Sequence, residues 1–290
     1  MCRFTLYLGP PVRLSTLLIE PSHSLIQQSF HAEERSEPLN GDGFGVGWYA
    51  PRVTPVPAVF RSVTPAWNNE NLESLAQVVC SPCVLAHVRA ATEGMVVNES
   101  NCHPFQWGEY LFMHNGHIGS FSAVRRRLLH TLSDDAFALV RGSTDTEHLF
   151  ALFADEVMKN GGDDPGALMA ECLNRAVWRV IDLVQEFGNG QPSFINAAVS
   201  DGDRAAACRF TNSKDKPAES LYYNPRPMYA PAFAGSGRRG RERSGAVVVS
   251  SERLTDDEAW VGVPQNQMVS VDRDGRQHLF RMEKDGLQPV

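Results

Sequence analysis

The chain opens Met1-Cys2-Arg3-Phe4-Thr5-Leu6-Tyr7-Leu8, and Gly9-Pro10 stops the run. A short, mostly apolar stretch from Arg3 to Leu8, punctuated in this way, reads as a strand. Gly43–Tyr49, Val84–Val88 and Tyr110–Met113 are runs of the same kind. The middle of the chain changes period. Ser120 is placed to cap a helix carrying Phe121, Val124, Leu128 and Leu129 on one face. Thr144 and Glu147 make a capping box ahead of Leu149, Phe150, Leu152, Phe153 and Val157. Asp164-Pro165 starts a third helix through Leu168, Leu173, Val177, Ile181 and Val184, and Gly188 stops it. Asn196–Val199, Ala207–Thr211, Ala246–Ser250 and Met268–Val271 return to strands. Strands, then helices, then strands predict a mixed α+β fold and not alternating βαβ units.

Composition narrows the function. The 290 residues are 42% hydrophobic and 21% charged, ordinary for a globular chain with a sizeable core. A net charge of −7, from 34 acidic and 27 basic side chains, argues against nucleic acid as the main partner. No apolar run reaches the roughly 18 residues of a membrane span, and no secretory signal opens the chain. The six cysteines, Cys2, Cys80, Cys83, Cys102, Cys172 and Cys208, are too sparse for a disulfide scaffold. A reduced, cytoplasmic setting is the expectation. One domain spanning 1–290 is expected, because no linker interrupts the chain. The Gly/Ser-rich basic stretch 234–245 is expected to be a mobile surface loop.

Four small motifs carry chemistry. On its own, Cys2 reads as a small buried hydrophobe. Its place after the initiator Met changes that, because Met1 excision leaves a thiol and an α-amine on one residue. That amine, with an ordinary pKa of about 8, is suited to act as the thiol's general base. Arg89, in His87-Val88-Arg89-Ala90-Ala91-Thr92, is either a weak surface ion pair or a planar fork for a substrate carboxylate. His114-Asn115-Gly116 is either a tight turn or an oxyanion hole built from the Asn115 amide and the Gly116 N–H. Asp145 opens a helix, where the dipole keeps it ionised, and it could hold a substrate ammonium group. A nucleophile with its base, a carboxylate clamp, an oxyanion hole and an ammonium acceptor together match an α-amino acid attacked at its side-chain carbonyl. That describes a γ-glutamyl group.

Taken in this order and spacing, Cys2, Arg89 in HVRAAT, Asn115-Gly116 in HNG and Asp145 in STDTE resemble the glutaminase domain of class II, N-terminal-nucleophile glutamine amidotransferases. The resemblance implies a four-layer αββα sandwich of two antiparallel sheets. It also implies a thiol that attacks the γ-carbonyl to form a γ-glutamyl thioester, which water then resolves. It assigns Cys2, Asn115 and Gly116 to catalysis and Arg89, Thr92 and Asp145 to substrate binding. PLNGDGFGVGWY (Pro38–Tyr49), TPAWNNENL (Thr64–Leu72), NCHPF (Asn101–Phe105) and FMHNGHI (Phe112–Ile118) resemble the stand-alone branch without an attached synthase. The wording around Trp67 and Cys102 is similar to the Dug3-type subunit of the fungal glutathione-degrading complex. That likeness implies hydrolysis of glutathione to glutamate and Cys-Gly, and a metallopeptidase-like partner subunit. A glutaminase passing ammonia to a separate synthase is the second expectation. A silent γ-glutamyl-binding scaffold is the third.

The remaining motifs do not change this. Gly41, Gly43, Gly45 and Gly47 lack dinucleotide spacing and are expected to let a strand pass close to another backbone or to the substrate. Cys80-Ser81-Pro82-Cys83 is a lone C-x-x-C, and Cys102-His103 makes an unsupported second pair, so no metal and no cofactor are expected. His103 and His114 are expected to shape the pocket and not to act as the base.

Overall fold

The structure is a computed structural model describing residues 2–34, 39–90, 97–161, 165–227 and 245–290, with backbone alone for 165–167. Met1, Thr92, Asp164 and residues 234–244 of the basic stretch lie outside the described residues.

Among the described residues fourteen strands form two antiparallel sheets. The first contains β1 (Arg3–Arg13), β2 (Phe44–Trp48), β3 (Ala58–Ser62), β4 (Cys80–Val88), β9 (Tyr222–Asn224), β10 (Val247–Ser250) and β11 (Val261–Gly262), in the order β11-β9-β10-β1-β4-β2-β3. The second contains β5 (Phe105–Trp107), β6 (Tyr110–His117), β7 (Phe194–Ser200), β8 (Ala205–Thr211), β12 (Gln267–Val271), β13 (Gln277–Glu283) and β14 (Gly286–Pro289), in the order β14-β13-β12-β8-β7-β6-β5. Helices α1 (Leu14–Leu18), α2 (Leu25–Phe30) and α3 (Glu70–Val78) cover the first sheet, and α4 (Phe121–His130), α6 (Asp145–Asn160) and α7 (Pro165–Phe187) cover the second. The short α5 (Asp134–Phe137) packs on α6.

Side-chain alternation builds this four-layer stack. Phe4, Leu6 and Leu8 of β1 and Leu111 and Met113 of β6 point between the sheets. Tyr7 points outward under α1 and α2, and Phe112 points outward under α6 and α7. Three apolar cores therefore fill the three interfaces, and each large buried side chain contributes about 1.5–3 kcal/mol.

The glycines of β2 have a specific job. A Cβ on Gly43 would stand 2.8 Å from Cys102 Sγ, and one on Gly47 would stand 2.6 Å from Leu111 Cδ1 and 2.9 Å from Pro104 Cγ. A Cβ on Gly45 would overlap the His103 carbonyl oxygen. The segment Cys102-His103-Pro104 thus lies across the glycine face of β2, whose Phe44, Val46 and Trp48 point the other way, and this is the close backbone approach the alternation predicts. Arg61 of β3 holds it there, donating from Nε at 3.0 Å and Nη2 at 2.5 Å to the Pro104 carbonyl.

Several local expectations need correction. Ser120 precedes α4 but does not cap it with its side chain. It sits in the left-handed region at φ 55°, and its hydroxyl is engaged with Asn189 instead. The Thr144–Glu147 box is half made: Thr144 Oγ1 accepts from Glu147 N at 3.3 Å, but the Glu147 carboxylate accepts from Arg141 N and Gly142 N. His114-Asn115-Gly116 is not a turn. It continues β6, with Asn115 opposite Asn196 and Gly116 opposite Ile195.

Gly45→Ala tests the close crossing. The carbonyl it meets is backbone and cannot rotate away, so denaturant unfolding should show a loss of about 1–3 kcal/mol or more.

Candidate active site

Two strand ends of the first sheet place Cys2 and Arg89 side by side. Arg3 pairs with Val88, which sets Cys2 beside Arg89, and Cys2 Sγ donates to Ala90 O at 3.6 Å. The ladder continues past β4 into β2's approach, where Arg89 N donates to Gly43 O at 2.8 Å and Asp42 N donates to Arg89 O at 2.9 Å. Cys2 shares the inward parity of Phe4, and Arg89 shares that of His87, so both face the second sheet. Arg89 is buried, and its Nη1 has no hydrogen-bond partner. Among the described residues it makes no ion pair, so the surface-pair reading of Arg89 does not hold.

The facing wall is β6 with the start of α6. Asn115 is 1% exposed, and neither Nδ2 nor Oδ1 has a partner. A Cβ on Gly116, at φ 144°, would overlap the Phe194 carbonyl, so only glycine fits beside β7. Asp145, the first residue of α6, is tied to this strand: its Oδ2 accepts from Ile118 N at 2.9 Å and its Oδ1 from Thr146 N at 2.8 Å. A carboxylate with two acceptances keeps lone pairs for a cation. Thr146 adds a second tie through His114 Nδ1 at 3.0 Å.

Histidines join the two walls. His87 Nε2 reaches the His114 carbonyl at 3.3 Å, linking the first sheet to the second. A carbonyl only accepts, so His87 carries its proton on Nε2, which leaves Nδ1 as an acceptor. That Nδ1 is buried without a partner, and so is Nδ1 of His103, whose ring lies 4.0 Å from that of His87. His114 Nε2 lies 3.3 Å from Phe194 O, so its Nδ1 accepts from the Thr146 hydroxyl. Burial holds His87 down at about 3 and pushes His103 well below the ordinary imidazole range. It lowers His114 too, against the opposing pull of Asp145. Burial pushes the Cys102 thiol up to about 11, so it stays protonated beside Gly43.

The structure therefore brings Cys2, Arg89, Asn115, Gly116 and Asp145 to one end of the sandwich. Native proteins satisfy most buried polar atoms, yet here Arg89, Asn115, His87 and His103 each keep one or more unmatched. Such an array suits a polar ligand carrying both acceptors and donors. The C-x-x-C pair is not part of it. Cys83 is buried with Sγ 3.3 Å from Ser200 Oγ, and Cys80 is half-buried at the far end of β4. Among the described residues no group of three or more His, Cys, Asp or Glu is placed to hold a metal, and no helix is long and apolar enough to cross a membrane. Arg61 and the buried partners of Arg3 escaped the sequence reading. The signal for Arg3 was present, since a cation inside an apolar strand needs a buried acceptor.

Comparison with known proteins shows the family and the fold. The family described as class-II glutamine amidotransferases matches residues 18–288. A probable glutamine amidotransferase from Saccharomyces cerevisiae, DUG3, is 39% identical over 293 residues, covering 93% of this chain and 82% of the yeast protein. A γ-glutamyl-hercynylcysteine sulfoxide hydrolase from Mycobacterium tuberculosis is 26% identical over 276 residues, covering 95% of this chain and 94% of that protein. Among solved structures, a class-II glutamine aminotransferase domain protein from Silicibacter pomeroyi superposes with a TM-score of 0.65 at 29% identity, over 97% of this chain and 100% of that one. Glutamine phosphoribosylpyrophosphate amidotransferase from B. subtilis shares the fold, with a TM-score of 0.57 at 12% identity, covering 98% of this chain and 49% of that one.

Histidine protonation gives a direct check. The imidazole signals of His87 and His103 should not move in NMR titration between about pH 5 and pH 8. His23, raised by its hydrogen bond to Glu252, should titrate above its ordinary value in the same spectra. A midpoint near neutrality for His87 would show that it is not sealed from water.

Proposed function

The chain belongs to the class II glutamine amidotransferases, and from that premise we propose that it hydrolyses a γ-glutamyl amide, glutathione, through a thioester on Cys2. The observation that carries this reading is the unmatched polar array. Arg89 Nη1 and both polar atoms of the Asn115 amide are buried without partners, on the two walls where Cys2 and Asp145 end.

In this mechanism Met1 is removed, and the freed α-amine of Cys2 takes the thiol proton. The thiolate attacks the γ-carbonyl carbon. The charge moving onto the carbonyl oxygen is met by Asn115 Nδ2 and the Gly116 N–H, a contribution of about 3–4 kcal/mol for a donor of this kind. Arg89 pairs with the α-carboxylate and Asp145 with the α-ammonium group, with Thr92 as a further substrate contact. The protonated amine then gives its proton to the departing nitrogen. Water attacks the thioester carbon, glutamate leaves, and the thiol reforms.

The leaving group is argued by likeness. The residues around Trp67 and Cys102 resemble the Dug3-type branch, which favours glutathione, with Cys-Gly released to a metallopeptidase-like partner subunit. The name of the mycobacterial relative describes a γ-glutamyl group on a cysteine derivative, and glutathione is also a γ-glutamyl amide of cysteine. Glutamine, with ammonia passed to a separate synthase, is the second reading, favoured by the name of the yeast relative.

Mass spectrometry of the protein incubated separately with glutathione and glutamine tests both readings. Glutamate and Cys-Gly should appear from glutathione, and the Cys2→Ala variant should form neither while still binding substrate. Faster release of ammonia from glutamine would favour the second reading, and unchanged turnover by Cys2→Ala would overturn the mechanism. The rate should rise with pH through about 8, because the α-amine must lose its proton to act as base. Arg89→Lys replaces a two-pronged donor by a point charge, so KM should rise about tenfold or more, consistent with loss of a charged hydrogen bond. An unchanged KM would remove Arg89 from the clamp.

A further inference from the structure

Arg3 follows the nucleophile and points the opposite way, into the outer core of the first sheet. It is fully buried, and so is its partner Glu252, at 1% exposed. Arg3 Nε donates to Glu252 Oε1 at 2.5 Å, and Arg3 Nη1 donates to the Cys2 carbonyl at 3.0 Å. Glu252 gathers more than this one cation. Its Oε2 lies 2.7 Å from His23 Nε2 and accepts from Glu33 N at 2.9 Å, and its Oε1 accepts from Glu34 N at 3.3 Å. Burial pushes this carboxylate up, but the His23 hydrogen bond and the Arg3 charge outweigh it and hold it at about 2, so it stays ionised.

From His23 the connection runs on. Gln28 Nε2 donates to His23 O at 2.9 Å, Asn40 Nδ2 donates to Gln28 O at 3.0 Å, and Asn40 N donates to Ser29 O at 2.7 Å. Two residues later, Asp42 N donates to the Arg89 carbonyl at 2.9 Å. One branch from Glu252 therefore ends on the backbone of Cys2, and the other ends on the backbone of Arg89.

We propose that Arg3 and Glu252 are positioning residues that hold the Cys2 backbone and set it relative to the Arg89 clamp. The proposal rests on the reading of Cys2 as an N-terminal nucleophile. A terminal residue has a covalent tether on one side only. Its amine and thiol project from a Cα carried by the Cys2–Arg3 peptide plane, so where they stand depends on how that plane is held at the Cys2 carbonyl oxygen. Arg3 grips that oxygen, and Glu252 fixes Arg3. Burying such an ion pair stabilises a fold poorly, since apolar residues of the same volume serve as well or better. The pair's value lies in the orientation it imposes.

Arg3→Met, Arg3→Lys and Glu252→Gln test this on the full chain, with turnover of γ-glutamyl-p-nitroanilide, glutathione and glutamine expressed per folded molecule. Arg3→Met and Glu252→Gln should lower kcat about tenfold to a hundredfold, the cost of a displacement of about 1 Å, with KM within about twofold. Alkylation of Cys2 by iodoacetamide should slow in parallel. Arg3→Lys should fall between these variants and the parent protein. Unchanged kcat with a lowered Tm would make the pair a fold element only and overturn the proposal. So would a loss confined to KM. If Arg3→Met or Glu252→Gln does not fold, Arg3→Lys and His23→Gln decide by the same kcat-against-KM split. Failure of the underlying reading is separate, because it shows as undiminished turnover by Cys2→Ala. An inactive Cys2→Ala beside fully active Arg3 variants rejects only the positioning role.

Discussion

The backbone of His103 rests on Gly45 at a spacing that excludes even a methyl group, and the order of this end of the molecule follows from that contact. Because β2 has no side chains on its inner face, Cys102-His103-Pro104 can lie between the sheets, where Arg61 fixes it by the Pro104 carbonyl. His103 then packs its ring at a tilt against that of His87, and His87 donates to the carbonyl of His114 across the gap between the sheets. The next residue, Asn115, presents its amide to the same gap. Fill the glycine face and the histidines part, with the first sheet's Cys2 and Arg89 losing register against the second sheet's Asn115.

Burial gives these polar groups their character. An unmatched buried donor or acceptor costs about 1–3 kcal/mol, and Arg89, Asn115, His87 and His103 hold such atoms close together. Neutral histidines make this tolerable. With His87 near 3 and His103 low as well, neither adds positive charge beside the Arg89 guanidinium. The positive charge beside these rings comes from Arg89 and Arg61, and Asp145 lies on the opposite wall. In the proposed mechanism an amino acid carrying both a carboxylate and an ammonium group complements Arg89 and Asp145, and donors already ordered at its side-chain carbonyl need no rearrangement when charge develops there.

Local patterns made much of this legible. The runs at Arg3, Val84, Tyr110, Asn196 and Ala207 became strands because alternating apolar residues met apolar faces on both sides. The alternating glycines announced a close crossing, but not what crossed, since His103 is 58 positions further along and no local rule pairs it with Gly45. Asn115-Gly116 misled in form: Asn-Gly favours a turn, yet Gly116 is required here by the Phe194 carbonyl and stays inside the strand. Ser120 misled because a partner distant in sequence, Asn189, outcompeted the local capping bond. The short helices α1, α2 and α3 were invisible because five, six and nine residues carry little periodic signal. Glu252 was equally hidden, 249 residues from the arginine it serves.

The division of labour between the walls explains why the motifs describe one half of a substrate so much better than the other. Cys2 and Arg89 come from neighbouring strands of one sheet, and Asn115 and Asp145 from a strand and a helix locked together through Ile118 and Thr146. Groups set on rigid elements can demand a fixed spacing between a carboxylate, an ammonium and a carbonyl, and a γ-glutamyl unit has one such spacing. The four motifs hold no residue assigned to the departing side of the amide. On the proposed mechanism one γ-glutamyl-reading scaffold serves relatives whose names describe different leaving groups, and discrimination between those groups then comes from residues outside the Cys2–Arg89–Asn115–Asp145 set.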